Sequence, residues 1–337
     1  MKIILLCSIL LSLLSCSPSS KLLKFEGKTM GTTYHIRYIG KGSTDKSPIF
    51  KEEVDKRLQS INQSMSTYIP TSELSVFNKS RSLEWQVISA ELLKVVKHAL
   101  VVGEKSHGAF DPTIGPLVNL WGFGPKGKRE VPSKESIHNA LKNVGLDKIE
   151  LDYKKLLWKK MTKDVYVDLS ALAKGFGVDE VANILEEQGI LNYMVEIGGE
   201  VKTMGSKGSK PWIIAIESPG LEKEAGPYQR LLELKTHSLA TSGNYRNFFK
   251  QGDTHYSHTI DFKTGKPVSH TLASVSVADS ASCMNADAWA TALMSMGVEK
   301  GFKVAEQLKI AAYFIYKLDS SSEFVIKQTT EFTKLNL

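Results

Sequence analysis

The segment Tyr166–Val178, Tyr-Val-Asp-Leu-Ser-Ala-Leu-Ala-Lys-Gly-Phe-Gly-Val, constrains this chain more than any other stretch. The β-branched Val165 and Val167 alternate with Asp164, Tyr166 and Asp168, which predicts a short strand ending on a carboxylate. Ser170 stands where a helix N-cap is wanted. Val178, Val181, Ile184 and Leu185 continue at helical spacing, and Gly189 closes the helix as its C′ residue. A strand, a tight turn and a helix start leave backbone N–H groups open to an anion. Ala171, Ala173, Gly175 and Gly177 leave room there, and Asp168 and Lys174 flank the turn with opposite charges. The same pattern also makes an ordinary strand–helix joint with glycine for packing, and the stretch alone leaves both readings open.

The composition is globular, with 337 residues, 42% hydrophobic and 23% charged, and suits one large α/β domain or two closely joined lobes. The net charge of +7 is dispersed, Lys126–Arg129 being the nearest approach to a basic run. This fits a lysine-rich solvated surface, or a mild bias towards anionic ligands or membranes. No zinc-finger, RNA-binding or basic-zipper pattern occurs, so no nucleic-acid partner is expected.

The N-terminus begins with Lys2, an apolar and small run from Ile3 to Ser15, and Cys16. That run is too short to span a bilayer as a stable helix. Leu13-Leu14-Ser15-Cys16 resembles a bacterial lipoprotein cleavage box, with Leu14 the less usual residue in it. The expected organisation is a signal peptide over 1–15, a tether over 16–24 with lipid on Cys16, and a single domain over 25–337. A plain secretory signal cut nearby is the alternative. Only Cys283 then remains, a lone thiol that cannot pair within the chain and is expected to be buried.

Phe25 to Tyr38 reads as two strand segments around Met30-Gly31-Thr32. Gly31 there marks a bulge or a close ligand approach. Helices are predicted over 52–63, 72–78, 89–108 and from Ser133 to 145, with a loop fixed by glycines and prolines over 108–116. A hairpin is expected at 149–151 and 156–158. The strand over 193–201 is broken at Gly198-Gly199, and further strands fall at 212–216, 231–234, 273–278, 311–316 and 323–326. Late helices cover 285–297 and 298–308.

Asp287 and Thr291 are four apart, so on a helix their oxygens share one face. One carboxylate and one hydroxyl suit Mg²⁺, which keeps waters and binds substrate phosphates. An Asp complementing the helix dipole uses the same position. His258, between Ser257 and Thr259, fits a general base or a structural histidine, Asp261 starts a turn, and Tyr68 fits a ligand-stacking ring or a packed loop residue.

Eight blocks together resemble the ApbE family, the FAD:protein FMN transferases, over nearly the whole mature chain. They are Met30-Gly31-Thr32, Met65-Ser66-Thr67-Tyr68, Ala109-Phe110-Asp111 with Gly115–Gly124, Val167–Ala171 with Lys174-Gly175, Ile197–Glu200, Ser242–Asn247, Ser257–Asp261 with Thr264-Gly265 and Pro267, and Asp287–Thr291. The family's turn is usually Asp-Pro, where this chain has Asp261-Phe262. The resemblance implies a single T-fold-like α/β (α+β) catalytic domain with mixed or antiparallel sheets and helices. It implies transfer of the FMN half of FAD to a Thr or Ser hydroxyl of a partner protein with release of AMP, in the presence of Mg²⁺ or Mn²⁺. The alternatives are hydrolysis of FAD to FMN and AMP, and a flavin-binding lipoprotein without catalysis. Carried over by residue, Asp287, Thr291 and the Ala171 carbonyl match metal ligands. Met30, Tyr68, Ala109, Phe110, Asp111, Asp168 and Lys174 match positions lining FAD, and His258 matches a catalytic histidine. The expected location is the bacterial cell envelope, lipid-anchored and facing the periplasm. The chain holds no Ser/Thr-Gly-Ala-Ser/Thr acceptor stretch of its own, so self-flavinylation at such a motif is not expected.

Overall fold

The computed structural model describes residues 21–40, 45–125, 127–219, 228–244, 248–252, 254–318 and 323–335. The signal peptide, Cys16 and residues 17–20 lie outside the described residues, as do Tyr245, Arg246 and Asn247 of the Ser242–Asn247 block.

The chain opens with a hairpin of β1 (Lys21–Thr29) and β2 (Thr32–Gly40), so Lys21 to Lys24 of the expected tether belong to the sheet. Tyr34, Ile36 and Tyr38 of β2 point into the core, as the period of two requires. The helices α1 (Ser47–Met65) and α2 (Glu73–Lys79), the strand β3 (Gln86–Val87) and α3 (Ala90–Lys105) follow. Ser72 and Ser89 cap α2 and α3 by accepting from Ser75 N–H and Leu92 N–H, and Val54, Leu58 and Ile61 turn the apolar face of α1 inward.

The expected loop over 108–116 gives way to α4 (Gly115–Leu120), since Pro116 in a first helical turn loses no hydrogen bond. Next come α5 (Lys134–Leu141) and the hairpin β4 (Ile149–Asp152) and β5 (Leu157–Lys160). The long α6 (Ser170–Glu187) leads to β6 (Tyr193–Ile197), β7 (Glu200–Met204), β8 (Trp212–Glu217), β9 (Tyr228–Leu234) and β10 (Ser238–Gly243). Then β11 (Phe248–Gln251), β12 (Thr254–Ser257), β13 (Ile260–Asp261), β14 (Lys266–Pro267) and β15 (Leu272–Asp279) precede α7 (Cys283–Gln307). The chain ends with β16 (Ala311–Lys317), β17 (Phe324–Gln328) and α8 (Thr330–Lys334). The two late helices of the prediction are the halves of α7, which kinks at Gly297.

The main sheet has the order β1-β2-β6-β7-β10-β15-β16-β17, each neighbouring pair antiparallel. One face packs on α1, α6 and α7 to form the main core, and α3 packs on those helices. Ile216 of β8, Leu232 and Leu234 of β9 and Phe332 of α8 join a second apolar cluster with Leu239, Tyr313 and Ile315 of the sheet. A third cluster joins Leu117 and Trp121 to Ile137, Phe249 and Ile260.

The strand predicted over 164–168 does not form. Val167 is extended, but both its main-chain groups bond the Asn78 side chain, N–H to Oδ1 and C=O from Nδ2, each at 2.8 Å. Asp168 N–H goes to Pro112 C=O at 2.7 Å. One amide side chain takes the place of a neighbouring strand. Ser170 is the first helical residue rather than the cap, and Asp168 Oδ1 accepts its N–H at 2.9 Å.

Helices α6 and α7 cross at Gly175, where a Cβ would lie 2.4 Å from the Cys283 carbonyl oxygen. The crossing is clamped by Asp179 of α6, which accepts from Ser282 Oγ (2.9 Å), Cys283 N–H (3.0 Å) and Met284 N–H (3.0 Å) and so caps α7 from another helix.

Candidate active site

A cavity of about 630 Å³ opens between the β1–β2 turn, the end of α1 and the start of α6. Met30 and Gly31 have φ of 49° and 73°, the two positive values that a tight two-residue hairpin turn needs. They form one wall. Asn62, Met65 and the 66–69 loop form the second, and Asp168, Ser170, Ala173 and Lys174 the third. The loop is held because Ser66 C=O accepts from Ser72 Oγ (2.5 Å) and Ser75 Oγ (3.0 Å). It presents Tyr68 at 65% exposure, its hydroxyl donating to Phe123 C=O at 3.4 Å. Partial burial, with the charge of Asp168 nearby, raises the Tyr68 pKa.

Lys174 leads from this cavity to a buried acid pair. Its Nζ lies 2.5 Å from Glu200 Oε2. Asp168, which flanks the turn with the opposite charge, accepts instead from the Ser170 amide. Burial opposes the Lys174 charge, but the carboxylates of Asp287 and Glu200 outweigh it and hold the ammonium above the ordinary lysine range. Burial, with Asp287 beside it, pushes Glu200 from 4.5 up to about 8. Burial likewise raises Asp287, opposed by Lys174 and by a hydrogen bond from the Gly175 amide.

Asp287 is 4% exposed, and its Oδ2 accepts from Gly175 N–H at 3.0 Å. In a regular helix that amide donates to the Ala171 carbonyl. Asp287 shares that amide, which ties its carboxylate to the first turn of α6 where the Ala171 carbonyl lies. One turn along α7, Thr291 Oγ1 stands 3.3 Å from Ser242 Oγ of β10. Among the described residues no three His, Cys, Asp or Glu side chains converge as a metal-binding group. A carboxylate, a hydroxyl and a carbonyl are nonetheless the oxygen donors a hard divalent cation takes when substrate and water complete its shell.

The fold thus brings Met30, Tyr68, Asp168 and Lys174 together, and Lys174 ties them to Asp287. It does not bring all the predicted residues to this cavity. Phe110 and Asp111 are buried, and Asp111 Oδ1 accepts from Thr113 N–H (2.8 Å) and Thr113 Oγ1 (2.7 Å). Burial raises the Asp111 pKa, and those hydrogen bonds oppose it. Ala109 N–H turns back to Ser106 C=O at 3.2 Å. None of the three lines the cavity.

His258 also stands off it, packed edge-on against Phe123 with ring centroids 6.3 Å apart. Phe123 therefore touches both Tyr68 and His258. The Asp261-Phe262 departure has a packing use, since a Cβ on Gly108 would come 2.6 Å from Phe262 Cε2. Sequence reasoning passed over Glu200 and Asp179. The glycine pair before Glu200, which sets it first in β7, was the available signal. Asp179 had none, lying 103 residues from Ser282.

The sequence pattern of the ApbE family matches residues 30–314. The chain is 43% identical over 312 residues to the FAD:protein FMN transferase of Vibrio cholerae, covering 92% of each chain. It is 43% identical over 331 residues to that of Haemophilus influenzae, covering 96% of this chain and 94% of the relative. The structure of the flavin transferase ApbE from Vibrio cholerae superposes with a TM-score of 0.85 at 40% identity, over 94% of this chain and 99% of that one. The fold is therefore that of the flavin transferases, a class of enzymes. The chain belongs to the ApbE family.

Proposed function

We propose that this chain is an FAD:protein FMN transferase, moving the FMN half of FAD in a Mg²⁺-dependent reaction to a Thr or Ser hydroxyl of a partner protein and releasing AMP. The observation that carries the reading is Lys174, which lines the flavin-sized cavity at one end and meets the buried carboxylates at the other. Met30, Tyr68 and Asp168 form the walls against which FAD would lie. Phe110 and Asp111, with their side chains turned inward, would serve FAD through the main chain, and Ala109 precedes them in the same loop.

Asp287, Thr291 and the Ala171 carbonyl are the groups that would hold Mg²⁺, or Mn²⁺ in its place. A bound divalent cation offsets pyrophosphate charge and stabilises the departing AMP oxygen. Lys174 places a fixed positive charge next to that anion, and Glu200 holds the lysine in place. In the transfer the acceptor oxygen bonds the FMN phosphorus, and the P–O bond to AMP breaks with its electron pair leaving on AMP. The hydroxyl proton passes to a base, for which His258 is proposed. We further propose that Cys16 carries lipid and holds the enzyme at the cell envelope, facing the periplasm.

The test is incubation of the chain lacking residues 1–20 with FAD, Mg²⁺ and a peptide carrying an acceptor threonine, following AMP, free FMN and peptide mass together. Peptide heavier by FMN with matching AMP supports transfer. Free FMN with AMP and unchanged peptide makes the chain a hydrolase, and neither product makes it a binder. Asp287→Ala should abolish AMP release without rescue by moderate Mg²⁺, and normal release by that variant at low Mg²⁺ would defeat the ligand assignment.

A further inference from the structure

Strand β10 is paired along its whole length on one side and for two residues on the other. Towards β15 the register runs from Ser238↔Asp279 to Gly243↔Ser274. Towards β7 it holds only Ser238↔Lys202 and Leu239↔Val201. Before Glu200 the chain leaves the sheet through Gly198 and Gly199, whose φ values of 60° and 104° turn it back into β6.

The bond from Asn244 N–H to Ala273 C=O (3.0 Å) sets the even-numbered residues of β10 to bond β15. The bond from Thr203 N–H to the His237 carbonyl (2.9 Å) sets the odd-numbered ones to face β7. The N–H and C=O groups of Thr241 and Gly243 therefore point into the space that β7 vacates. Among the described residues nothing bonds them. Thr241 and Gly243 also border a cavity of about 370 Å³ that lies on the sheet face away from Ser242, between the sheet and Ile213–Glu217 of β8, with Gly198 and Gly199 at its rim.

An open strand edge is a template for another extended segment. This edge runs beside the reaction site. Ser242 faces the opposite side of the sheet from Thr241, with its Oγ 3.3 Å from Thr291 Oγ1. A residue opposite Ser242 on an added strand would face that same side. It would be in a non-hydrogen-bonded pair, where cross-strand Cα atoms are about 4.5 Å apart and side chains come closest. Lys174 borders the same gap, since a Cβ on Gly198 would come 3.3 Å from its Cδ.

We propose that the free edge of β10 at Thr241–Gly243 takes the acceptor segment of the partner protein as an added antiparallel strand, with its reactive Thr or Ser opposite Ser242. This rests on the transferase reading above and names how its second substrate is held. FAD enters from the Met30–Tyr68 side, the acceptor from the β10 edge, and the two meet at Lys174, Asp287 and Thr291.

The experiment is a backbone N-methyl scan of a synthetic peptide with one acceptor threonine, on the unaltered enzyme with FAD and Mg²⁺. In the proposed register the residues before and after the threonine bond Gly243 and Thr241, while the threonine's own N–H faces away. Methylating either neighbour should raise the peptide KM about 3- to 10-fold, the worth of one backbone hydrogen bond, with the KM for FAD unchanged. Methylating the threonine nitrogen should change it little. Transfer with a flat or reversed pattern overturns the strand and leaves the transferase reading standing; no AMP and no labelled peptide overturns both. Thr241→Pro, which removes one edge N–H, should raise the peptide KM alone, and the peptide scan decides even where this variant melts early. A dimer by sedimentation that Thr241→Pro dissociates, with a flat scan, assigns the edge to a second copy of the chain and also overturns the proposal.

Discussion

His258 is the residue on which a transferase and a flavin binder part. A threonine hydroxyl does not ionise at neutral pH, so a base that takes its proton is worth roughly 10²–10⁴ in rate. His258→Ala should lose that factor while FAD affinity and melting temperature hold, because the ring is half-buried and is not proposed to hold the flavin. Full activity would make the ring structural, and joint loss of fold and activity would make it a packing residue. Glu200 yields a different measurement. Its pKa is raised in the fold from 4.5 to about 8, so over that window the folded chain keeps a proton the unfolded chain has released. The stability this gives is complete below 4.5 and falls away as pH rises towards about 8. Glu200→Gln should flatten the fall in melting temperature of the metal-free protein across that window, and parallel curves for the two proteins would show the carboxyl to be ionised throughout. Single residues were legible where their role is local. Gly189 was, with φ of 73° just past α6. The pairing of Lys174 was not, because Glu200 reaches it only once the sheet has formed.

At the scale of elements, the site is made by the crossing of α6 and α7. Gly175 lets the helices approach, its amide holds Asp287, and Asp179 caps α7 from α6. Gly175→Ala would force the helices apart, because the obstacle is the backbone of Cys283 and Met284 rather than a movable side chain. The expected result is a loss of about 1–3 kcal/mol in chemical denaturation and, on the proposed metal assignment, a higher Mg²⁺ concentration for half-maximal turnover. An unchanged denaturation midpoint with unchanged turnover would show that the crossing has slack. The helices with serine caps and regular apolar spacing were readable to within a few residues. The extended run at Val167 was misread as a strand because its partner is one side chain, Asn78, and alternation of valines cannot tell an amide from a strand.

At the scale of the whole molecule, the anchor is the remaining expectation. Cys16→Ser should leave an uncleaved or soluble protein without a diacylglycerol label, and equal membrane retention and labelling in that variant would rule the lipid out. The first described strand begins at Lys21, five residues after Cys16, so a lipid there would tie the sheet's first edge strand close to its membrane. The α/β class, the sites of most strands and helices, the i,i+4 placing of Asp287 and Thr291, and the family were all readable from the order of residues. Each of these is written within a short window, by period, cap or motif. Tertiary packing was needed to show that Lys174 answers to Glu200 and Asp287, that Phe110 and Asp111 turn inward, that His258 meets Phe123 edge-on, and that Thr241–Gly243 of β10 has no second partner strand among the described residues. Those facts depend on which distant segments share a boundary and on what burial costs a charge there, and no local pattern carries that information.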